Sequence, residues 1–147
     1  MVCLKRKAKK SPKVAGQILV YPCLDARLCH PSVKKYSKGF LLTEANTKWY
    51  VKQYVRNEED ITNPFVSPLL AEDCSNLPPA FILTAGFDIL QDEAKLYAAK
   101  LRASGVAIQH NHYNGLIHGF FNFPLISNTA LQAYKDIKIA IDGFLES

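Results

Sequence analysis

The 147-residue sequence predicts an α/β fold in which about three parallel β-strands are flanked by helices. Short runs rich in Ile, Leu and Val have the length of buried strands. Segments with helical spacing alternate with these runs, and this alternation is typical of βαβ units that build a parallel sheet. Three strands make a thin sheet, so the chain is interpreted as a single partial domain over residues 1–147.

The first part of the chain predicts a helix, a strand and a turn-rich segment. Residues 2–9 have the pattern of the end of a helix, and Ser11-Pro12 marks a break after it. Residues 14–21 contain a continuous apolar run and are expected to form a buried strand that Pro22 ends. Turn-forming residues dominate positions 25–39.

A helix is predicted in the middle of the chain. Thr43 is a suitable N-cap residue, and the helix is expected to run to about Val55. Its apolar face would consist of Trp49, Tyr50 and Tyr54. Asn63-Pro64 then interrupts the chain.

The last part of the chain predicts a βαβα arrangement. Strands are expected at residues 80–85 and 106–113, and helices at 92–104 and 130–145, with a loop at Gly115 to Gly119. The residues expected to face inward are Leu96, Ala99 and Ala103 on the first helix, and Ile137, Ile141, Phe144 and Leu145 on the second.

Composition and charge exclude several classes of protein. The net charge of +5 arises from the N-terminal cluster Lys5, Arg6, Lys7, Lys9 and Lys10, since the other 13 basic residues balance 13 acidic ones. Without interleaved aromatic residues this cluster does not predict a nucleic-acid partner. No apolar run approaches the roughly 20 residues of a membrane span, and no apolar stretch follows the basic residues as in a secretory signal. A cytoplasmic location is therefore expected.

The cysteines do not predict a metal centre or a cofactor site. The four residues are Cys3, Cys23, Cys29 and Cys74, and none forms a C-x-x-C pair. No histidine lies at zinc-ligand spacing from two of them. We expect the cysteines to be reduced and structural, and we predict neither a metal nor a cofactor.

Asp88 and His118 are the candidate catalytic residues. Each follows a predicted strand at its carboxyl end, where open α/β sheets place their catalytic groups. One helix and one strand separate them, so a βαβ unit would bring them to neighbouring strand ends. A carboxylate beside an imidazole fixes its tautomer and stabilises the imidazolium that forms during acyl transfer.

The chain from about Ala15 onward resembles the second half of the hormone-sensitive-lipase-like esterases, the α/β-hydrolase fold-3 family. The matching stretches, in order, are residues 16–22 (GQILVYP), 67–71 (SPLLA), 77–80 (LPPA), 84–88 (TAGFD) and 115–120 (GLIHGF). The resemblance implies a partial α/β-hydrolase fold, the activity of a carboxylic ester hydrolase, a catalytic acid at Asp88 and a catalytic histidine at His118. It also implies that part of residues 25–64 belongs to a helical cap over the site.

The sequence departs from the family beside the acid. The family usually has Pro after the acid, a common Arg before the following Asp-Glu pair and Gly after that pair. Ile89, Gln91 and Ala94 stand at these positions here.

A nucleophile is missing from the pattern. These esterases need a serine in a G-x-S-x-G elbow, but the single pair of glycines with that spacing, Gly115 and Gly119, encloses Ile117. No His-Gly-Gly oxyanion-hole motif occurs either. Met1 to Lys5 resembles the helix that follows the elbow, so the reading frame is expected to begin just after the serine, and the chain alone is expected to be inactive.

The remaining nucleophilic and imidazole side chains are weaker candidates for a chemical role. Cys23 and Ser67 are the nearest substitutes for the serine, but neither lies on a sharp strand-to-helix turn. His30 is a weak candidate for a ligand role, whereas His110 and His112 fall within a predicted strand and are interpreted as structural or surface residues.

Three hypotheses therefore stand. The chain is part of a truncated or split esterase that acts on a small acyl ester once an N-terminal half completes it. Alternatively, it is a non-catalytic assembly module that pairs with itself or a complementing chain through an exposed sheet edge. Thirdly, it is a remnant of an interrupted gene that does not fold stably, because the lost burial can exceed a typical stability of about 5–15 kcal/mol.

Overall fold

The computed structural model describes residues 2–9, 14–125 and 127–146 and contains one parallel sheet. The predicted break at Ser11-Pro12 lies outside the described residues. The strands are β1 (Gln17–Val20), β2 (Ala80–Phe87) and β3 (Ile108–Ile117), in the order β1-β2-β3. The helices are α1 (Val2–Lys9), α2 (Pro31–Lys35), α3 (Glu44–Tyr54), α4 (Gln91–Ala103) and α5 (Asn128–Leu145). The predicted α/β class with three parallel strands is confirmed.

The central strand β2 is buried on both faces, as its continuous apolar sequence predicts. Ala80 and Ile82 pack in one cluster with α4 and with Leu4 of α1. Phe81 and Leu83 point to the opposite face and pack with α5. The period of two along the strand thus divides the core into two layers, one on each side of the sheet.

The packing face of α4 differs from the predicted one, and that of α5 agrees with the prediction only in part. In α4 the buried residues include Ala94, Tyr97, Ala98 and Leu101, whereas the predicted inward residues Leu96, Ala99 and Ala103 are exposed. In α5 the buried residues are Ala130, Ala133 and Ala140, with Ile137 and Phe144 partly buried beside them. Ile141 and Leu145, predicted to face inward, are 41% and 75% exposed. The small alanines occupy the stripe nearest the sheet because they allow a close approach of helix and strand.

Helix α3 forms where the sequence predicts it. The Thr43 hydroxyl accepts a hydrogen bond from the Asn46 amide at 3.1 Å and caps the helix. The predicted apolar face does not pack into the core, however, because Trp49, Tyr50 and Tyr54 are each more than half exposed. Within the described residues, no helix is long and apolar enough to span a membrane.

Candidate active site

Asp88 and His118 lie directly after β2 and β3 and contact each other. The Nδ1 atom of His118 is 2.8 Å from Oδ2 of Asp88. The Asp88 side chain is buried and that of His118 is 19% exposed. An ionised carboxylate can only accept hydrogen bonds, so Nδ1 carries the proton and donates it. In the neutral imidazole this leaves the Nε2 lone pair available as a base.

An irregularity between β2 and β3 aligns the two residues. The strands pair regularly up to Ala85 opposite Tyr113, but the next pair is Phe87 opposite Ile117. One residue of β2 therefore faces three residues of β3 in this β-bulge. The bulge shifts the register so that the residues after each strand, Asp88 and His118, lie side by side. The sequence prediction ended this strand near Tyr113 and so missed the bulge.

Gly86 makes the bulge possible. A Cβ atom at this position would lie 2.0 Å from the carbonyl oxygen of Asn114, far inside contact distance. The glycine therefore permits a close approach of the two backbones that no other residue allows. By contrast, a Cβ atom at Gly115, inside the same bulge, would meet nothing within 4 Å.

Hydrogen bonds hold the turn that carries Asp88. Its second carboxylate oxygen, Oδ1, accepts the Leu90 amide at 2.9 Å. Gln91, which replaces the common arginine, donates from Nε2 to the Gly86 carbonyl at 2.8 Å. Ile89 and Ala94 are fully buried. Ile89, Gln91 and Ala94, which depart from the family pattern, therefore fit this turn: the two apolar residues are buried, and Asp88 keeps its hydrogen bond to the Leu90 amide.

Tyr21 contacts the imidazole and was not identified from the sequence. Its ring centroid lies 4.4 Å from that of His118 and 5.5 Å from that of Phe120. Its backbone has φ = 36°, a left-handed conformation that is rare outside glycine. Such strain persists where the surroundings fix it, and it is common at functional sites. Burial raises the pKa of Tyr21, which keeps the phenol neutral.

An apolar pocket of about 690 Å³ opens beside His118. It is lined by the end of β1 and the loop after it, by α3, and by short stretches around Val66 and Leu90. Tyr50 and Tyr54 of α3 line the pocket even though they do not belong to the core. No carboxylate or ammonium group of the described residues lines it. The pocket therefore suits an uncharged apolar group held next to the imidazole.

The two substitutes considered for the serine are poorly suited to attack a substrate. Ser67 is fully buried, and its hydroxyl donates to the Ile61 carbonyl at 2.6 Å while it accepts the Ala26 amide at 2.9 Å. Cys23 lines the pocket, but desolvation is the main cause that raises the pKa of its thiol above the ordinary value. Little thiolate would exist at neutral pH, and the thiolate is the nucleophilic form.

His30 belongs to an ion-pair cluster. Its Nε2 lies 2.8 Å from Oδ2 of the buried Asp25, and Arg27 binds both oxygens of the same carboxylate at 2.8 and 2.7 Å. These contacts lower the pKa of Asp25 against the effect of its burial. Cys29 completes a group of three potential metal ligands. The guanidinium already neutralises the carboxylate, so the cluster is better suited to stabilising the loop than to holding a cation.

His110 and His112 share one hydroxyl on the α4 side of the sheet. The Oγ1 atom of Thr84 lies 2.8 Å from Nε2 of His110 and 2.8 Å from Nδ1 of His112. Burial lowers the pKa of both imidazoles, and nearby Lys95 lowers it further. Their interpretation as structural residues agrees with these contacts.

Comparisons with known proteins identify a family. A family model described as alpha/beta hydrolase fold matches residues 1–122. Carboxylic ester hydrolase LipN of Mycobacterium tuberculosis is 41% identical over 96% of this chain and 38% of its own length. An arylesterase of Saccharolobus solfataricus is 40% identical over 78% of this chain and 38% of its own length. The chain therefore spans less than half of the curated relatives that it matches.

A solved structure shares the fold closely. Ester-hydrolase EH1AB1 from the metagenome of Lake Arreo, determined with a derivative of bipyridine phosphonate, superposes with a TM-score of 0.91 at 33% identity. The match covers 99% of this chain and 46% of that one.

Proposed function

The chain belongs to the alpha/beta hydrolase fold family, and we propose that Asp88 and His118 form the acid–histidine pair of a carboxylic ester hydrolase. The contact of 2.8 Å between His118 Nδ1 and Asp88 Oδ2 is the observation that carries the proposal. The position of the two residues at neighbouring strand ends, beside an apolar pocket, supports the proposal, because acyl transfer uses such a carboxylate–imidazole pair to move protons.

His118 would act as the general base and then as the general acid. Its Nε2 accepts the proton of the attacking hydroxyl and later returns it to the leaving alcohol. Asp88 holds the Nδ1 proton, fixes the tautomer and stabilises the imidazolium between these steps. Since Asp88 is buried and accepts the Leu90 amide as well, its orientation is set before substrate binds.

The nucleophile and the oxyanion hole would come from residues outside these 147. The sequence contains neither a G-x-S-x-G elbow nor a His-Gly-Gly motif. We therefore propose that the 147-residue chain alone does not hydrolyse esters, because proton transfer at His118 has no hydroxyl to activate and the tetrahedral oxyanion has no donors. Its partner in the reaction is a polypeptide segment that supplies both.

The substrate class that we propose is a small acyl ester with an apolar group. The uncharged lining of the pocket supports this assignment, and so do the names of two relatives, a carboxylic ester hydrolase and an arylesterase. Residues 25–64 would act as a cap segment, because α3 within it forms one wall of the pocket. A cytoplasmic location stays a prediction.

A second candidate function is assembly through the edge of the sheet. Among the described residues, β2 is the one strand that pairs with β1, so the other edge of residues 17–20 has no strand beside it there. Such an edge is a template for another strand, either from a complementing chain or from a second copy. Sedimentation of the purified chain as a folded monomer would count against this candidate.

Hydrolysis of p-nitrophenyl acetate by the chain alone tests the proposal. We expect the rate with the 147-residue chain to equal that with its His118→Ala variant, because the pair has no nucleophile to act on. A rate that exceeds the variant's would mean that the 147-residue chain contains a nucleophile, and the proposal that it is inactive alone would be wrong. A cooperative thermal transition in the same preparation would exclude the alternative of a chain that does not fold.

A further inference from the structure

Glu93, in the first turn of α4, is a buried carboxyl group that the proposed chemistry does not use. Its side chain is fully buried. It is separated from the acid Asp88 by only one turn of chain. A carboxyl group at such a position needs either a cation, hydrogen bonds or a proton to compensate for lost hydration.

The carboxyl group of Glu93 contacts the loop that follows β1 and lines the pocket. Its Oε1 atom accepts the backbone amides of Leu24 at 2.5 Å and Asp25 at 3.1 Å, which lie nearly 70 residues away along the chain. Cys23, Leu24 and Ala26 line the pocket beside His118. We call residues 22–26 the pocket wall. Glu93 therefore ties this wall to the turn that carries Asp88.

A second link runs in parallel. Asp92 accepts the Ser32 amide at 2.8 Å, and the Ser32 hydroxyl donates to the Ile89 carbonyl at 2.6 Å. These bonds attach the start of α2 to the same turn. These bonds do not involve Leu24 or Asp25, so the two neighbouring acidic residues bind different parts of one loop.

The surroundings of Glu93 favour its protonated form. Oε2 is buried and has no hydrogen-bond partner among the described residues. The titratable groups that face Glu93 are Asp25 and Cys23, neither of them cationic. Arg27 and His30 bind Asp25 instead, and the described residues include no ion pair for Glu93. Burial is the main cause that raises the pKa of Glu93, to about 8.

We propose that Glu93 is a positioning residue that fixes the pocket wall to the Asp88 turn, and that it does so as the neutral acid at neutral pH. In this state its carbonyl oxygen, Oε1, accepts both amides, and the proton on Oε2 removes the charge that the site cannot solvate. The importance of the wall for substrate rests on the proposed function, but the protonation and the contacts do not.

The test is a pH titration of the chain by ¹H–¹⁵N NMR between pH 5 and pH 10. We expect the amide resonances of Leu24 and Asp25 to shift together with a midpoint near the pKa of about 8. In Glu93→Gln, which keeps an accepting oxygen and cannot ionise, this transition should disappear. In Glu93→Ala, the two amides should exchange with solvent at least about tenfold faster, because each loses its acceptor.

Two control variants isolate the source of the transition. Asp92→Asn removes the neighbouring carboxylate, and His30→Asn removes the imidazole bound to Asp25; the transition at Leu24 and Asp25 should persist in both. A midpoint below pH 7, or a transition that survives in Glu93→Gln, would overturn the proposal. So would unchanged exchange of both amides in Glu93→Ala. None of these outcomes depends on ester hydrolysis, so failure here is distinguishable from failure of the proposed function.

Discussion

Replacing Gly86 with alanine should separate Asp88 from His118, the proposed catalytic pair, because this glycine permits the bulge that aligns them. The new Cβ would lie 2.0 Å from the Asn114 carbonyl oxygen and 2.6 Å from its carbon. Ordinary contact begins at 3.4 Å, so the backbones must move apart by about 1.4 Å, the difference between 3.4 and 2.0. Both atoms belong to rigid backbone, and no side chain can rotate away to relieve the clash.

The loss of stability in Gly86→Ala follows from the overpacking and from the hydrogen bonds that such a movement breaks. Overpacking a buried site costs about 1–3 kcal/mol, and each buried backbone group left without a partner adds about 1–3 kcal/mol. We expect Gly86→Ala to lower the free energy of unfolding by about 3 kcal/mol. For a chain of this length, this corresponds to a fall in melting temperature of about 10 °C.

Gly115→Ala is the matched control, since its Cβ meets nothing within 4 Å in the same bulge. Thermal denaturation of both variants followed by circular dichroism measures the difference in stability. The ¹H resonance of the His118 Nδ1 proton, bound to Asp88 at 2.8 Å, should be lost only in Gly86→Ala. Equal melting temperatures for the two variants, or a retained resonance in Gly86→Ala, would refute the argument from the close approach.

Two further predictions concern buried polar groups. The folded state raises the pKa of Glu93, so protonation of Glu93 stabilises the fold fully below the unfolded value of 4.5, and this stabilisation is lost as pH rises through about 8. At about 1.4 kcal/mol per pH unit, the free energy of unfolding of the wild type should fall relative to that of Glu93→Gln by up to about 5 kcal/mol over this range. Urea denaturation at a series of pH values measures the difference. Parallel curves for the two proteins would contradict this. Thr84→Val should lower the free energy of unfolding by about 1–3 kcal/mol, because it leaves ring nitrogens of His110 and His112 without their shared partner. A variant as stable as the wild type in the same assay would show that the Thr84 hydroxyl does not stabilise the fold through these two imidazoles.

The sequence indicates that Asp88 and His118 lie close together because both residues follow predicted strands, and the resemblance to the esterase family identifies them as the catalytic candidates. A buried apolar run before Asp88 and another strand before His118 place the two at one edge of a parallel sheet. The distance between them could not be predicted in the same way. It depends on a bulge whose register shift arises from a close backbone approach at Gly86, and a single glycine in a strand does not reveal which atoms it faces.

The helices show why apolar patterns alone misplace a packing face. In α4 hydrophobicity predicts that Leu96 faces inward, yet the buried stripe contains Tyr97 and alanines. Small residues lie where the helix packs closely on the sheet, so side-chain size determines the buried face of the helix as much as polarity does. In α3 the exposed Tyr50 and Tyr54 line the pocket and do not pack into the core.

Tyr21 and Glu93 were missed for a different reason. The positive φ of Tyr21 is a tertiary constraint, and nothing in the run before Pro22 indicates it. Glu93 has the sequence position of an ordinary acidic residue in a first helical turn, where the helix dipole favours negative charge. Its burial results from the loop at Leu24, which is distant in sequence and packs over the carboxyl group in the fold.

The most direct test of the central claim is a chimera in which this chain replaces the segment of LipN that it matches. The rest of LipN then supplies whatever residues this chain lacks. We predict hydrolysis of p-nitrophenyl acetate by the chimera, and a fall in kcat of about 10⁴-fold or more in His118→Ala. His110→Ala, which removes an imidazole outside the site, should keep the rate within about tenfold. A folded, active chimera whose rate is unchanged by His118→Ala would contradict the assignment of the catalytic pair.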